Sequence, residues 1–307
     1  MSIKRFSTLK PEILERWYKS AEIEGIPKEA YRPNIKILKN ERSGYSFGII
    51  HNENRFKREH QNNPLENNKG CNLCRAVNLA QNNFDLNLLT NNNLSNFAFT
   101  LNKFPFIEGF SMGISINERP MYTTKNLDGL EREIEEFLNL TDETGFELFH
   151  NSPGFGATIP KHEHWHLTNF RGGYDFVGEK YGFDAAEKKP SKGSENIMIM
   201  PDFPFAHVIF QRQGVDKLVY FLRNIQEELG DRYDNLGVPH TISQGFDGIL
   251  VCIGKKYLER SRGSGDVAGH LSVKTKEDFE NFNYNMSIQE MDNLLFRKED
   301  LNLERFI

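Results

Sequence analysis

The segment His162-Glu-His-Trp-His166 constrains this chain more than any other. Its histidines fall on every second residue, so in an extended strand three imidazoles line one face while Glu163 and Trp165 point to the other. On a helix the same three would fan apart, and the apolar neighbours and preceding loop favour the strand. Ionisable rings in a row are poor core material, which leaves two chemistries. Imidazoles two apart can ligate Zn²⁺ together. A neutral histidine can also attack phosphorus, once an acceptor fixes its proton on the other ring nitrogen.

The loop ahead of the row, Asn151-Ser152-Pro-Gly-Phe-Gly156-Ala157-Thr158, tips the balance toward phosphorus. Its glycines permit a tight turn, and its N–H groups with the Thr158 hydroxyl can cradle phosphate oxygens. Cys71-x2-Cys74 has the spacing of half a tetrahedral zinc site. With only three cysteines the chain is no secreted disulfide scaffold.

The pattern Asn151-x4-Gly156-Ala157-Thr158-x-Pro160-x-His162-x-His164-x-His166 resembles the active-site signature of the histidine-triad superfamily. It falls with the branch of galactose-1-phosphate uridylyltransferase, diadenosine tetraphosphate phosphorylase and GDP-hexose phosphorylase. Asn102-Lys-Phe-Pro-Phe106, the Cys71/Cys74 pair and the late Gly265-Asp-Val-Ala-Gly269 segment resemble the same branch, so the likeness runs over residues 70 to 280. The resemblance implies an enzyme of nucleotidyltransferase or phosphorylase type, working by two-step displacement on a nucleotide sugar or dinucleoside polyphosphate. His164 would be the nucleophile, with His166 beside it in catalysis. Asn151, Ser152, Gly156, Ala157 and Thr158 would bind the sugar-phosphate, and Asn102, Phe104 and Pro105 would line the nucleoside pocket. A phosphate or sugar phosphate would be the acceptor. His162 would be either a phosphate-side ligand or, with Cys71 and Cys74, a ligand of a structural zinc; the branch's further histidine is missing, and His51, His60 or a carboxylate would have to complete the set. Mg²⁺ can accompany a polyphosphate substrate, and no organic cofactor is expected. A homodimer is compatible with the family. One position departs from it: the transferases carry Gln where this chain has His166, as the hydrolytic branches do. Hydrolysis of the same substrates, or a non-catalytic nucleotide- or metal-binding module, are the alternatives.

The fold implied is α+β, a histidine-triad-like antiparallel sheet with packed helices, built as a duplicated, uridylyltransferase-like unit. Asn102-Lys-Phe-Pro-Phe106 before one short strand and Pro201-Asp-Phe-Pro-Phe205 before another hint at the duplication. The expected division is an N-terminal extension over 1–69, a catalytic half over 70–175, and a degenerate second half with the C-terminal segment over 176–307. Apolar spacing predicts helices from Leu9 to Ala21, Asp128 to Leu140 and Asp216 to Leu229. Strands are predicted at 45–50, 97–101, 110–116, 146–149, 197–200, 208–210 and 248–253, with Cys252 in the core. Lys255, Lys256 and Arg260 form a basic turn, and His207, His240 and His270 are read as structural or surface groups.

A net charge of −5 over 307 residues argues against a chain that coats nucleic acid. The basic 188–194 stretch reads as a solvated loop. No segment is apolar for long enough to span a bilayer, and the N-terminus lacks a signal-peptide core. A cytoplasmic location is therefore expected, without a membrane partner.

Overall fold

The computed structural model describes residues 10–39, 46–52, 71–83, 87–89, 96–103, 105, 107–157, 159–168, 197–199, 204–244, 248–257 and 270–306. Its centre is an eight-stranded sheet whose order follows from two matching sets of four strands. The first set comprises β3 (Phe97–Leu101), β4 (Ser111–Ser115), β5 (Glu147–Asn151) and β6 (His164–Thr168). The second comprises β7 (Ile197–Met198), β8 (His207–Phe210), β9 (His240–Gln244) and β10 (Ile249–Ile253). The sheet reads β3-β4-β6-β5-β9-β10-β8-β7, so the second set repeats the first in mirror order. All these pairs are antiparallel, and the two sets join where β5 meets β9 through His150↔Ile242 and Asn151↔Thr241. This is the duplicated α+β unit that the tripeptide repeat hinted at.

Each set carries one long helix between its second and third strands: α3 (Leu130–Thr144) in the first, α4 (Val215–Leu229) in the second. Both bury a stripe at helical spacing, Leu130, Ile134, Phe137, Leu138 and Thr141 in α3, Leu218, Leu222, Ile225 and Leu229 in α4. The two stripes meet one shared core, into which the strands send Phe97, Phe99, Trp165, Leu167, Val208, Ile242, Ile249 and Val251. Gly113 lies under this layer, where an added Cβ would stand 3.0–3.1 Å from Phe99 and Phe137. α3 runs one turn beyond the predicted Leu140, ending at Gly145 in the left-handed region (φ 80°).

The opposite face of the sheet is covered differently along its length. Over the second set lies a small sheet, β1 (Asn34–Lys39), β2 (Ser46–His51) and β11 (His270–Val273), with β2 and β11 paired in parallel. Helices α5 (Lys276–Asn281) and α6 (Tyr284–Leu294) follow it. Phe47, Ile49, Leu271, Met291 and Leu294 there enclose Ile209, Leu250 and Cys252. Over the first set lies α2 (Asn72–Asn82), whose Leu73, Val77 and Ala80 pack on Ala98 and Ile114. Helix α1 (Pro11–Ile23) begins with Pro11 in its first turn, where no hydrogen bond is lost. It buries Trp17, whose indole N–H donates to the Phe110 carbonyl at 3.2 Å. Among the described residues no helix is long and apolar enough to cross a membrane.

Candidate active site and metal-ligand cluster

β6 lies inside the first half of the sheet, between β4 and β5, with Ile114↔His164, Met112↔His166 and Phe149↔His166 as neighbours. Alternation sends Trp165 and Leu167 into the helix-side core and His164 and His166 to the other face. The strand starts at His164, so His162 sits in the turn before it, clamped by Glu163 N–H to Arg119 O (2.7 Å) and Ser115 N–H to Glu163 O (3.0 Å). That displacement gives the three histidines different tasks.

His162 has its Nε2 2.7 Å from the Ser115 carbonyl. A carbonyl only accepts, so Nε2 bears the proton and Nδ1 presents its lone pair. Nδ1 faces Cys71 Sγ at 3.2 Å and Cys74 Sγ at 3.4 Å. Cys71 caps α2 and Cys74 lies three residues on, in its first turn, which brings both sulfurs to the same end of the helix. The three donor atoms lie within 4.8 Å of one another and could hold a metal ion. Glu118 Oε2 stands 3.6 Å from Cys74 Sγ. His51 is instead buried beside Phe279, and His60 lies outside the described residues.

His164 has its Nδ1 2.8 Å from the carbonyl oxygen of His162. By the same reasoning Nδ1 carries the proton and Nε2 the lone pair. The residue is buried, and burial lowers its pKa, so the ring is neutral near pH 7. His166 stands 5.3 Å away, edge to face, with its ring stacked on Phe110 at 5.4 Å and 7°. Phe110 is in turn fixed by its backbone, whose carbonyl accepts from Asn102 N–H (3.0 Å) and from Trp17.

Asn151 ends β5 on the same face as Phe149, two residues beyond the Phe149↔His166 pair, which places it beside His164. It is buried, and among the described residues neither polar atom of its amide has a hydrogen-bond partner. An amide in that position is costly unless a ligand completes it. Ser152 is engaged elsewhere: its hydroxyl accepts from His240 N–H at 2.9 Å, and its own N–H donates to the His240 carbonyl at 3.0 Å. Gly154 and Gly156 both have positive φ (76° and 99°), as the tight loop requires, and a Pro153↔Ala157 bridge closes it. Asn102 and Pro105 are buried nearby in sequence, with the Pro105 carbonyl accepting from Asn52 at 3.4 Å. Phe104 and Thr158 lie outside the described residues, as do Arg260 and the 265–269 segment.

Behind the histidine strand, on the helix side, is a polar network that alternation alone did not announce. Glu133 accepts from Arg119 at 2.6 Å through both oxygens, from Trp165 Nε1 at 3.2 Å, and from the Tyr122 hydroxyl. Glu163 accepts from Tyr122 N–H at 3.0 Å and lies 3.2 Å from His150 Nε2. Burial pushes Glu163 up to about 7 and His150 down to about 4, so both favour their neutral forms. Other candidates take structural parts. His207 and His240 are buried and donate from Nδ1 to the carbonyls of Phe205 (2.8 Å) and Val238 (3.0 Å). Lys255 donates to the Asp292 carbonyl at 3.2 Å, within the C-terminal segment.

No family model matches this sequence, and no curated protein sequence does. Solved structures do. The chain superposes on yeast Ap4A phosphorylase Apa2 with TM-score 0.62 at 13% identity, covering 94% of both chains. The same enzyme in complex with Ap4A gives 0.62 at 14% identity over 94% of this chain and 97% of that one. Its complex with AMP gives 0.60, also at 14%, over 95% and 97%. The chain therefore shares the fold of the yeast Ap4A phosphorylase Apa2 structures.

Proposed function

We propose that this protein is a nucleotidyltransferase of phosphorylase type, acting through a nucleotidyl-histidine intermediate on His164. The observation that carries the reading is the 2.8 Å contact from His164 Nδ1 to the His162 carbonyl, which leaves Nε2 as the nucleophilic nitrogen of a buried, neutral ring. In the first step Nε2 attacks the α-phosphorus. The N–P bond forms, the P–O bond to the leaving nucleotide breaks, and that nucleotide departs with the electron pair. In the second step an oxygen of inorganic phosphate or of a sugar phosphate attacks the same phosphorus and breaks the N–P bond. A dinucleoside polyphosphate is the first candidate substrate, because one solved protein that shares the fold, yeast Ap4A phosphorylase Apa2, forms complexes with AMP and with Ap4A.

The unpartnered Asn151 amide would hold a phosphoryl or sugar oxygen. N–H groups of Gly156 and Ala157 with Thr158 would meet the non-bridging oxygens, where charge develops. His166, flat against Phe110, would contact the same group from the far side. Asn102, Phe104 and Pro105 would form the nucleoside wall, and Ser152 would act through the loop rather than on substrate. The chemistry is assigned to residues 70–175, with 176–307 as the degenerate half and 1–69 as an extension. Cys71, Cys74 and His162 would hold Zn²⁺, supported by the Nδ1 lone pair turned to both sulfurs. Bound there, zinc would fix His162, whose carbonyl holds the His164 ring. Mg²⁺ would come with the polyphosphate, and no organic cofactor is required.

Product analysis tests the reading. With Ap4A, the expected products are ADP and ATP, formed only when inorganic phosphate is present. Appearance of AMP without phosphate would make water the acceptor and the protein a hydrolase. Parallel reactions with GDP-hexoses or UDP-hexoses, with and without a hexose-1-phosphate, locate the substrate class if Ap4A is not consumed.

A further inference from the structure

The Cys71–Cys74–His162 cluster supplies three donors, whereas a closed structural zinc site takes four. Zn–S bonds of about 2.3 Å and Zn–N or Zn–O bonds of about 2.0–2.1 Å make the edges of such a tetrahedron about 3.5 Å between unlike donors. The two sulfur-to-nitrogen separations here are 3.2 and 3.4 Å. A fourth atom stands at the same kind of distance: Glu118 Oε2, 3.6 Å from Cys74 Sγ. Glu118 stands outside the group of three, whose donor atoms all lie within 4.8 Å of one another, and reaches it through Cys74.

The loop leaving β4 explains why this residue arrives there. Ser115 ends the strand and accepts the Nε2–H of His162, and Glu118 follows three residues later. One short stretch therefore fixes the imidazole tautomer and delivers the carboxylate. The adjacent Arg119, which would compete for that carboxylate, is turned inward to Glu133 and Tyr122. Glu118 is exposed, so its side chain can close on the remaining two donors by a change of rotamer.

We infer that Glu118 is the fourth ligand of a Cys71, Cys74, His162, Glu118 zinc site. Four protein ligands leave the ion no open position, so it shapes the site and does not itself activate water. Its influence on chemistry passes through His162, which offers its ring to the metal and its carbonyl to His164.

The test is metal binding by the full chain, read without turnover. Metal content by mass spectrometry is expected to give one zinc per chain. Competition against a chromophoric chelator is expected to show E118A binding zinc at least about 10-fold more weakly, with E118H restoring affinity to within a few-fold. The Co²⁺-loaded wild type should show tetrahedral d–d bands and thiolate charge transfer, and E118A should lose the tetrahedral intensity. Because Glu118 is exposed, neither variant should disturb folding, which far-ultraviolet circular dichroism checks directly. Unchanged affinity and an unchanged cobalt spectrum in E118A would overturn the assignment, as would a wild type that takes up neither zinc nor cobalt. These readouts are separate from catalysis: zinc held through Glu118 in a protein that ignores Ap4A would refute only the proposed function.

Discussion

The two halves of the central sheet share their strand order and differ in what their outer faces meet. In the first half β6 sends His164 and His166 outward, beside Met112 and Ile114. In the second half the corresponding strand, β10, sends Leu250 and Cys252 outward, beside Ile209 and His207. These are sealed beneath β2, β11 and α6, with Phe47, Leu271, Met291 and Leu294 closing over them. The helix sides differ in a complementary way. Behind β10 stand Ile249, Val251 and Ile253, whereas behind β6 the core admits Glu163, Glu133 and His150. A duplicated scaffold has thus put polar cost into one half and apolar burial into the other.

The apolar half also serves the polar one. Ser152 is tied to the backbone of His240 by two hydrogen bonds. Phe155 packs against Gly254, where an added Cβ would come within 2.5–2.7 Å of its ring. Tyr257 covers Gly154, and its hydroxyl donates to Asp234 Oδ1 (2.7 Å) and lies 3.0 Å from Gly237 O. The loop ahead of the histidines is therefore held by residues of the second half, which gives that half a reason to persist without histidines of its own on β10.

The largest effect should come from His164→Ala in the first half, with turnover falling by roughly 10⁴- to 10⁶-fold in steady-state assays. His207→Ala in the second half should leave turnover per folded molecule within a few-fold. Next, Leu250→Ala should lower unfolding free energy by about 2–5 kcal/mol in urea titrations, with kcat unaltered at temperatures where the protein stays folded. Equal stability would mean that the covered face is not a packed core. Gly254→Ala probes the support itself. Displacing Phe155 should shift the Asn151–Ala157 loop and cost on the order of 10²-fold in kcat/KM, with about 1–3 kcal/mol of stability lost to overpacking. The smallest effect is electrostatic. Burial holds His207 and His240 down at about 4, below the unfolded value of 6.5. Their contribution is fully present above 6.5 and is lost as pH falls toward 4, because only the unfolded chain takes up the protons, at up to about 1.4 kcal/mol per pH unit for each residue. His207→Asn, which keeps a donor for Phe205 O, should flatten that slope by one residue's share. An unaltered slope would contradict it.

The sequence was legible where a single periodicity decides the outcome. Alternation in His162–His166 places His164 and His166 on one face, and the apolar stripe of α3 and the run Phe97–Leu101 fold as their patterns predict. It was least legible where distant segments meet. β11 pairs with β2 across more than half the chain, and neither strand's composition names its partner. α2 was missed because Asn72–Asn82 buries only Leu73, Val77 and Ala80, amid asparagines that suit turns as well. β9, His240-Thr-Ile-Ser-Gln244, is too polar to read as a central strand, yet it joins the two halves. At the site, alternation could turn Glu163 away from the histidine face but could not supply His150 as its neighbour. It likewise could not choose Glu118 among the carboxylates near the cysteines.

The most direct test of His164 as the nucleophile is to trap a nucleotidyl-histidine intermediate. The protein is mixed with Ap4A labelled in its α-phosphates, in the absence of inorganic phosphate, then quenched in base and resolved under denaturing conditions. Label is expected on the chain, stable to base and labile to acid as a phosphoramidate is, absent from His164→Ala and released as ADP when phosphate is added before the quench. Turnover of Ap4A with no labelled protein at any time, or equal labelling of His164→Ala, would contradict that role for His164.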